Sequence, residues 1–185
     1  MPLDKVALDH PAKCFEAVKT AACDIGFLAI EASRAADIDF TAPYILIEGA
    51  YAVRANGPLQ TNTDVDRAGI RVAVKKGTAY ELFLARSLKA AALHPSVDAF
   101  AVFERERLEA VAGLRQAVAR FAAVRPDMRL LSGRFMEIPH AMCLPKGRDA
   151  GAAYLRMFVE EMKTSGFVAE AIQRAGQEAT VAEPA

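Results

Sequence analysis

The chain has 185 residues, enough for one ordinary domain or two small lobes. Hydrophobic residues make up 53% and charged residues 25%, a globular rather than a disordered composition. Lys plus Arg and Asp plus Glu each number 23, so the formal net charge is zero. That excludes the electrostatic footprint of a general nucleic-acid binder. No uncharged apolar run approaches the roughly 20 residues that span a bilayer.

In chain order, a short apolar run from Lys5 to Leu8 predicts a strand, and His10-Pro11 opens a helix to about Ala22. Asp24 to Ile30 is almost continuously apolar and predicts a buried parallel strand. A helical turn at Ala32 to Asp37 precedes Phe40-Thr41-Ala42-Pro43-Tyr44, and Ile45 to Arg54 is a long extended run. Asn56-Gly57-Pro58 is turn chemistry and a candidate boundary.

The pattern then restarts. A short helix is expected over Asp64 to Ala68, a buried strand over Ile70 to Val74, a turn at Lys76-Gly77-Thr78 and a helix from Tyr80 to Lys89. Ser96-Val97-Asp98 begins a helix to about Glu109. Ala110 to Leu114 is a strand, Gln116 to Val124 a helix, and Met128 to Leu131 a strand. Met136 to Leu144 is a second long extended run. Helices over Asp149 to Ser165 and Phe167 to Ala175 close the pattern, and Gln177 to Ala185 reads as a frayed polar tail.

Alternating strands and helices argue an α/β fold with mainly parallel sheets. Two long extended runs, near residues 49–56 and 133–142, bracket a central segment. A chain that leaves one lobe along one strand and returns along another makes two lobes on a two-stranded hinge. The expected division is residues 1–55 and 134–185 for a discontinuous first lobe and residues 56–133 for the second. Ligands bind in the cleft between such lobes.

Three strand ends carry candidate chemistry. At Val74-Lys75-Lys76-Gly77-Thr78-Ala79-Tyr80-Glu81 a buried strand ends, Gly77 turns, and Thr78 stands at a helix N-cap with Glu81 three residues on. Free backbone N–H groups there would make an anion site, or the segment is a helix start with no ligand. At Ala29-Ile30-Glu31-Ala32-Ser33-Arg34, Arg34 could fork onto a carboxylate or pair with Asp37 or Asp39 at the surface. Glu31 beside it suits the start of a helix. Gly113-Leu114-Arg115-Gln116 is the third strand end, either functional or a solvated terminus.

Elsewhere the residues read as structural. Glu104 to Arg107 suggests a salt-bridged solvated face, Lys146 and Arg148 an exposed pair, and His140 beside Pro139 a packing or hinge histidine. Cys14, Cys23 and Cys143 have no CxxC spacing and do not cluster in sequence with His10, His94 or His140, so they read as buried thiols rather than zinc ligands. No nucleophile elbow, metal motif, P-loop or cofactor signature is present. Met1 to Lys5 has no apolar leader, which places the protein in the cytoplasm or puts the native start upstream.

Asp24-Ile25-Gly26-Phe27-Leu28, Arg34 and Ile38-Asp39-Phe40-Thr41-Ala42-Pro43-Tyr44 resemble the signature region of extracellular solute-binding protein family three of ABC importers. Val72-Ala73-Val74-Lys75-Lys76-Gly77-Thr78 is similar to its second-lobe strand and binding turn. Pro145-Lys146-Gly147 and Gly166-Phe167 fit its closing region. The resemblance runs from about residue 5 to 176. It implies a type II periplasmic-binding fold, a periplasmic location, a small carboxylate ligand, an amino acid or related acid, and ABC transporter membrane subunits as partners. It implies no cofactor. Arg34 matches the clamp on the ligand's α-carboxylate, and Gly77-Thr78 the second-lobe contact to that group.

This chain departs from the family in three ways. Ala29 and Glu31 stand where small hydroxyl residues are usual. Leu114, or Gly113 or Arg115 on a one-residue slip, stands where amino-acid binders place an aspartate for the ammonium, so either Glu31 takes that amine or the ligand is a carboxylate without one. The chain also starts at the family's second strand, and the uncovered sheet edge predicts a homodimer or strand exchange. The alternatives are a cyclohexadienyl-dehydratase-like enzyme using Glu31 as acid, and a degenerate sensory domain that has lost binding.

Overall fold

A computed structural model describes residues 3–185. Helix α1 (Pro11–Lys19) starts on His10, whose ring Nδ1 accepts from the Ala12 N–H, with Pro11 at the first helical position. Strand β1 (Gly26–Ala29) and the single turn α2 (Ala32–Ala35) follow. Strand β2 (Ile38–Arg54) is 17 residues long and includes the Phe40 to Tyr44 block. A 3-10 turn at Asn62–Val65 is closed by a Thr61–Asp64 capping box.

Next come β3 (Arg71–Lys75), α3 (Ala79–Ser87), β4 (Ala92–Ser96), α4 (Ala99–Arg105), β5 (Ala110–Leu114) and α5 (Arg115–Ala123). The chain ends with β6 (Met128–Leu130), β7 (Met136–Pro145), α6 (Asp149–Thr164), α7 (Phe167–Ala175) and the two-residue β8 (Thr180–Val181).

The ladder order is β1-β7-β2-β5-β3-β4, with β6 and β8 also on β2. Parallel pairing is found at β3–β4 and β3–β5. The long strands β2 and β7 run antiparallel to each other, and β1 pairs antiparallel with β7 in the register Gly26 to Cys143. Asp24 to Ile30 was expected as a parallel strand; its only neighbour among the described residues is the returning β7, which reverses the polarity.

The two expected crossovers are β2 and β7, but they do not separate two sheets. The first part of β2 pairs with β7, and its last residues, Gly49 to Arg54, pair with β5 and β6, so the ladders join into one sheet. The apolar cores remain distinct. One pair of clusters, around Phe103, Val111 and Val118 and around Val72, Val74 and Leu84, lies on β3, β5 and their helices. Two others, around Leu155 and Val159 and around Val18 and Ile38, pack α6 and α1 on the β7 and β1 side. A small cluster of Ala29, Ala79 and Ile138 lies between the two sides.

Three expectations fail at the ends and edges. Lys5 to Leu8 forms no strand, and Val6 is exposed. A lone extended segment with no partner leaves its N–H and C=O groups to water, so apolar content alone does not make it a strand. Residues 92–96, for which no element is expected before Ser96, form β4 at the sheet edge, where proline is tolerated. The tail is docked rather than frayed. Thr180 and Val181 pair with Leu46 and Ile45, Ala182 is buried, and the enclosed Lys163 ammonium donates to the Glu183 carbonyl.

Candidate functional site

The site forms where β1 and β3 end and their following turns meet. Arg34, at the last turn of α2, is buried with 5% of its surface exposed. Its Nη1 donates to the Ala29 carbonyl at 3.1 Å, and its Nη2 to the Gly77 carbonyl at 3.2 Å. It pairs with neither Asp37 nor Asp39; Asp37 is bound by Lys19 instead. Among the described residues this buried guanidinium is held by carbonyl oxygens and has no counter-charge in contact, an arrangement that favours an incoming anion. Burial holds its pKa below the usual arginine value, with the nearby Glu31 opposing that shift.

Facing Arg34 is the β3–α3 turn. Gly77 has φ +75°, a left-handed conformation that favours glycine, and a Cβ there would stand 2.6 Å from the His10 ring. The Thr78 hydroxyl donates to the Lys75 carbonyl and accepts from the Glu81 N–H, capping α3. The Glu81 carboxylate accepts from the Gly77 N–H rather than from Thr78, one residue earlier than a standard capping box.

Two further contacts cross the same gap. His10 Nδ1 is an acceptor, so Nε2 carries the proton and donates to the Lys76 carbonyl at 2.8 Å. Both oxygens of Glu31 accept from Arg86 on α3, at 2.6 and 3.1 Å. Glu31 is only 7% exposed, whereas the Arg86 side chain is 56% exposed. A buried carboxylate is thus neutralised by a guanidinium that has open water on its other side.

His140 completes the floor. It lies on β7 opposite Ala29 of β1, and its pKa is pushed down to about 4, first by burial and then by the Arg34 charge. A neutral imidazole beside Arg34 leaves that cation as the fixed positive charge of the floor.

The structure therefore brings together Arg34, Ala29, Glu31, Gly77 and Thr78. Leu114 and Arg115 make no hydrogen bond to this group among the described residues. Leu114 ends β5 opposite Gly49 of β2, and Arg115 binds Glu48 and the Gly133 carbonyl. His10 and Arg86 were not foreseen. His10 carried the signal of an N-cap before Pro11, but nothing in the spacing of α3 marks Arg86. A hollow of about 440 Å³ lies elsewhere, bordered by Ala42, Arg156, Met157, Glu160 and Ala185. It is open and mostly apolar, and the buried Glu160 Oε1 at its rim lies 2.8 Å from the Lys163 ammonium, so the Arg34 group is the better candidate.

No family model matches the chain, and no curated protein is similar to it by sequence. Solved structures do match. A binding component assigned to an ABC transporter of Wolinella succinogenes, complexed with lysine, is 18% identical with a TM-score of 0.77, covering 92% of this chain and 77% of its own. A solute receptor for L-cysteine from Neisseria gonorrhoeae is 20% identical with a TM-score of 0.75, covering 91% and 70%. An ancestral amino-acid-binding protein described as a precursor of cyclohexadienyl dehydratase is 19% identical with a TM-score of 0.71, covering 86% and 71%. At these identities the likeness establishes the fold. It is the α/β architecture of type II periplasmic-binding proteins.

Proposed function

We propose that the chain is a solute-binding component of an ABC importer that holds a free L-amino acid between two lobes in the periplasm, with transporter membrane subunits as partners. In this reading residues 3–55 and 134–185 form one lobe and 56–133 the other, with β2 and β7 as the connection; residues 1 and 2 of the expected first lobe lie outside the described residues. The observation that carries this reading is the buried Arg34, which has no counter-ion in contact among the described residues and spans from the end of β1 to the Gly77 carbonyl. The lysine and cysteine binders among its structural neighbours support it.

The ligand's carboxylate takes the Arg34 donors that the two carbonyls now hold, with the Gly77–Thr78 turn closing over it. The ligand's ammonium takes Glu31, and Arg86 swings out to water. Opposite charges three residues apart on one turn fit a zwitterion. Calorimetry of the whole chain against the common L-amino acids and their deaminated acids tests the reading; no binding of any amino acid would sink it.

Two variants give opposite signs. Glu31→Gln should weaken the amino acid by at least about tenfold, because a buried ionic partner of the ammonium is lost. Arg86→Ala should tighten it by roughly tenfold, since the ligand no longer displaces a bidentate guanidinium. Unchanged affinity in both would move the ammonium site away from Glu31.

A dehydratase reading, favoured by the dehydratase-precursor neighbour, would use Glu31 as the acid. Turnover of prephenate or arogenate decides between an enzyme and a binder, because a binder produces none. A chain that has lost binding would give flat calorimetry throughout.

The outer edge of β1 has no strand partner among the described residues, and Phe27 on it is 58% exposed. Pairing of that edge with a second copy would cover it. Light scattering should then give twice the chain mass, falling to a monomer when Phe27 is changed to Lys; a monomeric wild type removes the homodimer.

A further inference from the structure

We infer that Cys14 and Cys143 are partners for a disulfide that clamps α1 to β7 across Gly26. All three cysteines are free in this structure. They gather in one apolar cluster with Val18, Leu28 and Ile38. The placement of two of them is specific. Cys143 lies directly across the β1–β7 ladder from Gly26, and α1 packs over that pair.

The position that a Cβ of Gly26 would take is 3.0 Å from the Cys143 Sγ and 3.3 Å from the Cys14 Sγ. Both sulfurs therefore border the same small space, left open because residue 26 has no side chain. Any larger residue there would also strike Val18, at 2.6 Å. The Cys23 sulfur is not among the three atoms nearest to that position.

The two thiols differ in access. Cys14 is half-buried on a helix, whereas Cys143 is fully buried. Burial, followed by the neighbouring Cys14, pushes the Cys143 thiol up to about 12. Oxidation is thus ordered. The Cys14 thiolate attacks one sulfur of a small disulfide such as oxidised glutathione, forming a mixed disulfide and releasing one glutathione thiolate. The Cys143 thiolate then attacks the Cys14 sulfur and expels the second glutathione. One glutathione disulfide is reduced to two thiols as the protein dithiol is oxidised, and two protons leave the protein. The second step is slow at neutral pH because little Cys143 is ionised, and it speeds up as pH rises.

The bond would close a loop from residue 14 to residue 143, and long loops restrain the unfolded chain most. The thermal midpoint should rise on the order of 10 °C for a chain of this size. The experiment treats folded full-length protein with oxidised glutathione, then measures intact mass, a non-reducing peptide map and the thermal midpoint before and after dithiothreitol.

The expected result is a mass lower by two hydrogens, a Cys14–Cys143 cross-linked peptide and a raised midpoint that the reductant reverses. Cys14→Ser, on a half-exposed helix position, should fold normally and lose all three effects. Cys23→Ser should keep them. A Cys14–Cys23 link, a stable glutathione adduct on Cys14, or unmodified thiols after prolonged exposure at alkaline pH would each overturn the assignment.

Discussion

Changing Arg34 to Met should lower affinity for the proposed amino-acid ligand by at least about 30-fold while leaving the ligand-free thermal midpoint nearly in place. Removing one partner of a desolvated charged contact costs about 2–5 kcal/mol. At 1.4 kcal/mol per decade, this spans roughly 30-fold to a few thousand-fold. The ligand-free protein feels two opposing changes. It loses two hydrogen bonds to carbonyls, each contributing about 1 kcal/mol net, and it is relieved of a buried cation with no counter-charge. Methionine keeps most of the side-chain volume, so no cavity opens. Calorimetry and a melting curve on the same variant separate the outcomes. Full affinity, or a collapsed ligand-free fold, would make Arg34 a structural residue.

The second large effect is on stability below neutral pH. His140 titrates near 4 in the folded protein, against about 6.5 when unfolded, because burial and Arg34 both disfavour the imidazolium. The unfolded chain therefore binds the proton first. The stabilisation is complete above about pH 6.5 and is lost as pH falls toward 4. A shift of this size corresponds to about 3 kcal/mol. Urea midpoints of the wild type should fall between pH 7 and 4 by more than those of His140→Gln, in which carboxylates still titrate but this group does not. Equal pH profiles for the two proteins would sink the prediction. Arg34→Met should show an intermediate loss, since it removes the second cause of the shift and leaves the first.

What the sequence made legible follows from how local each interaction is. Arg34, Gly77 and Thr78 were visible because each follows directly on an apolar strand, where the chain turns and backbone groups are freed. Thr78 capping α3 is a contact of three residues' span. The bonds that close the site are not local. His10 reaches Lys76 and Arg86 reaches Glu31, 66 and 55 residues away, and no periodicity encodes such meetings. The same distinction explains the strands. β3 and β5 are apolar and internal, so composition identified them. Lys5 to Leu8 is apolar but unpaired, and Thr180–Val181 is short and polar-flanked but paired. Strand formation there depends on a neighbour far away in sequence.

Strand β2 has a mechanical consequence. Its first half is hydrogen-bonded beside the α1 and α6 cores, and its last residues beside the β3 and β5 core, with register shifts near Phe40, Pro43 and Ile45. Rotation of one core against the other therefore cannot proceed as a free swivel. It must twist a single ribbon whose ladder stays intact, and a twisted ribbon returns elastic torque. Opening should then be stiff and small in angle, with compliance concentrated at the register shifts. Ligand release would be limited by the ribbon's torsional stiffness as well as by the ions in the site.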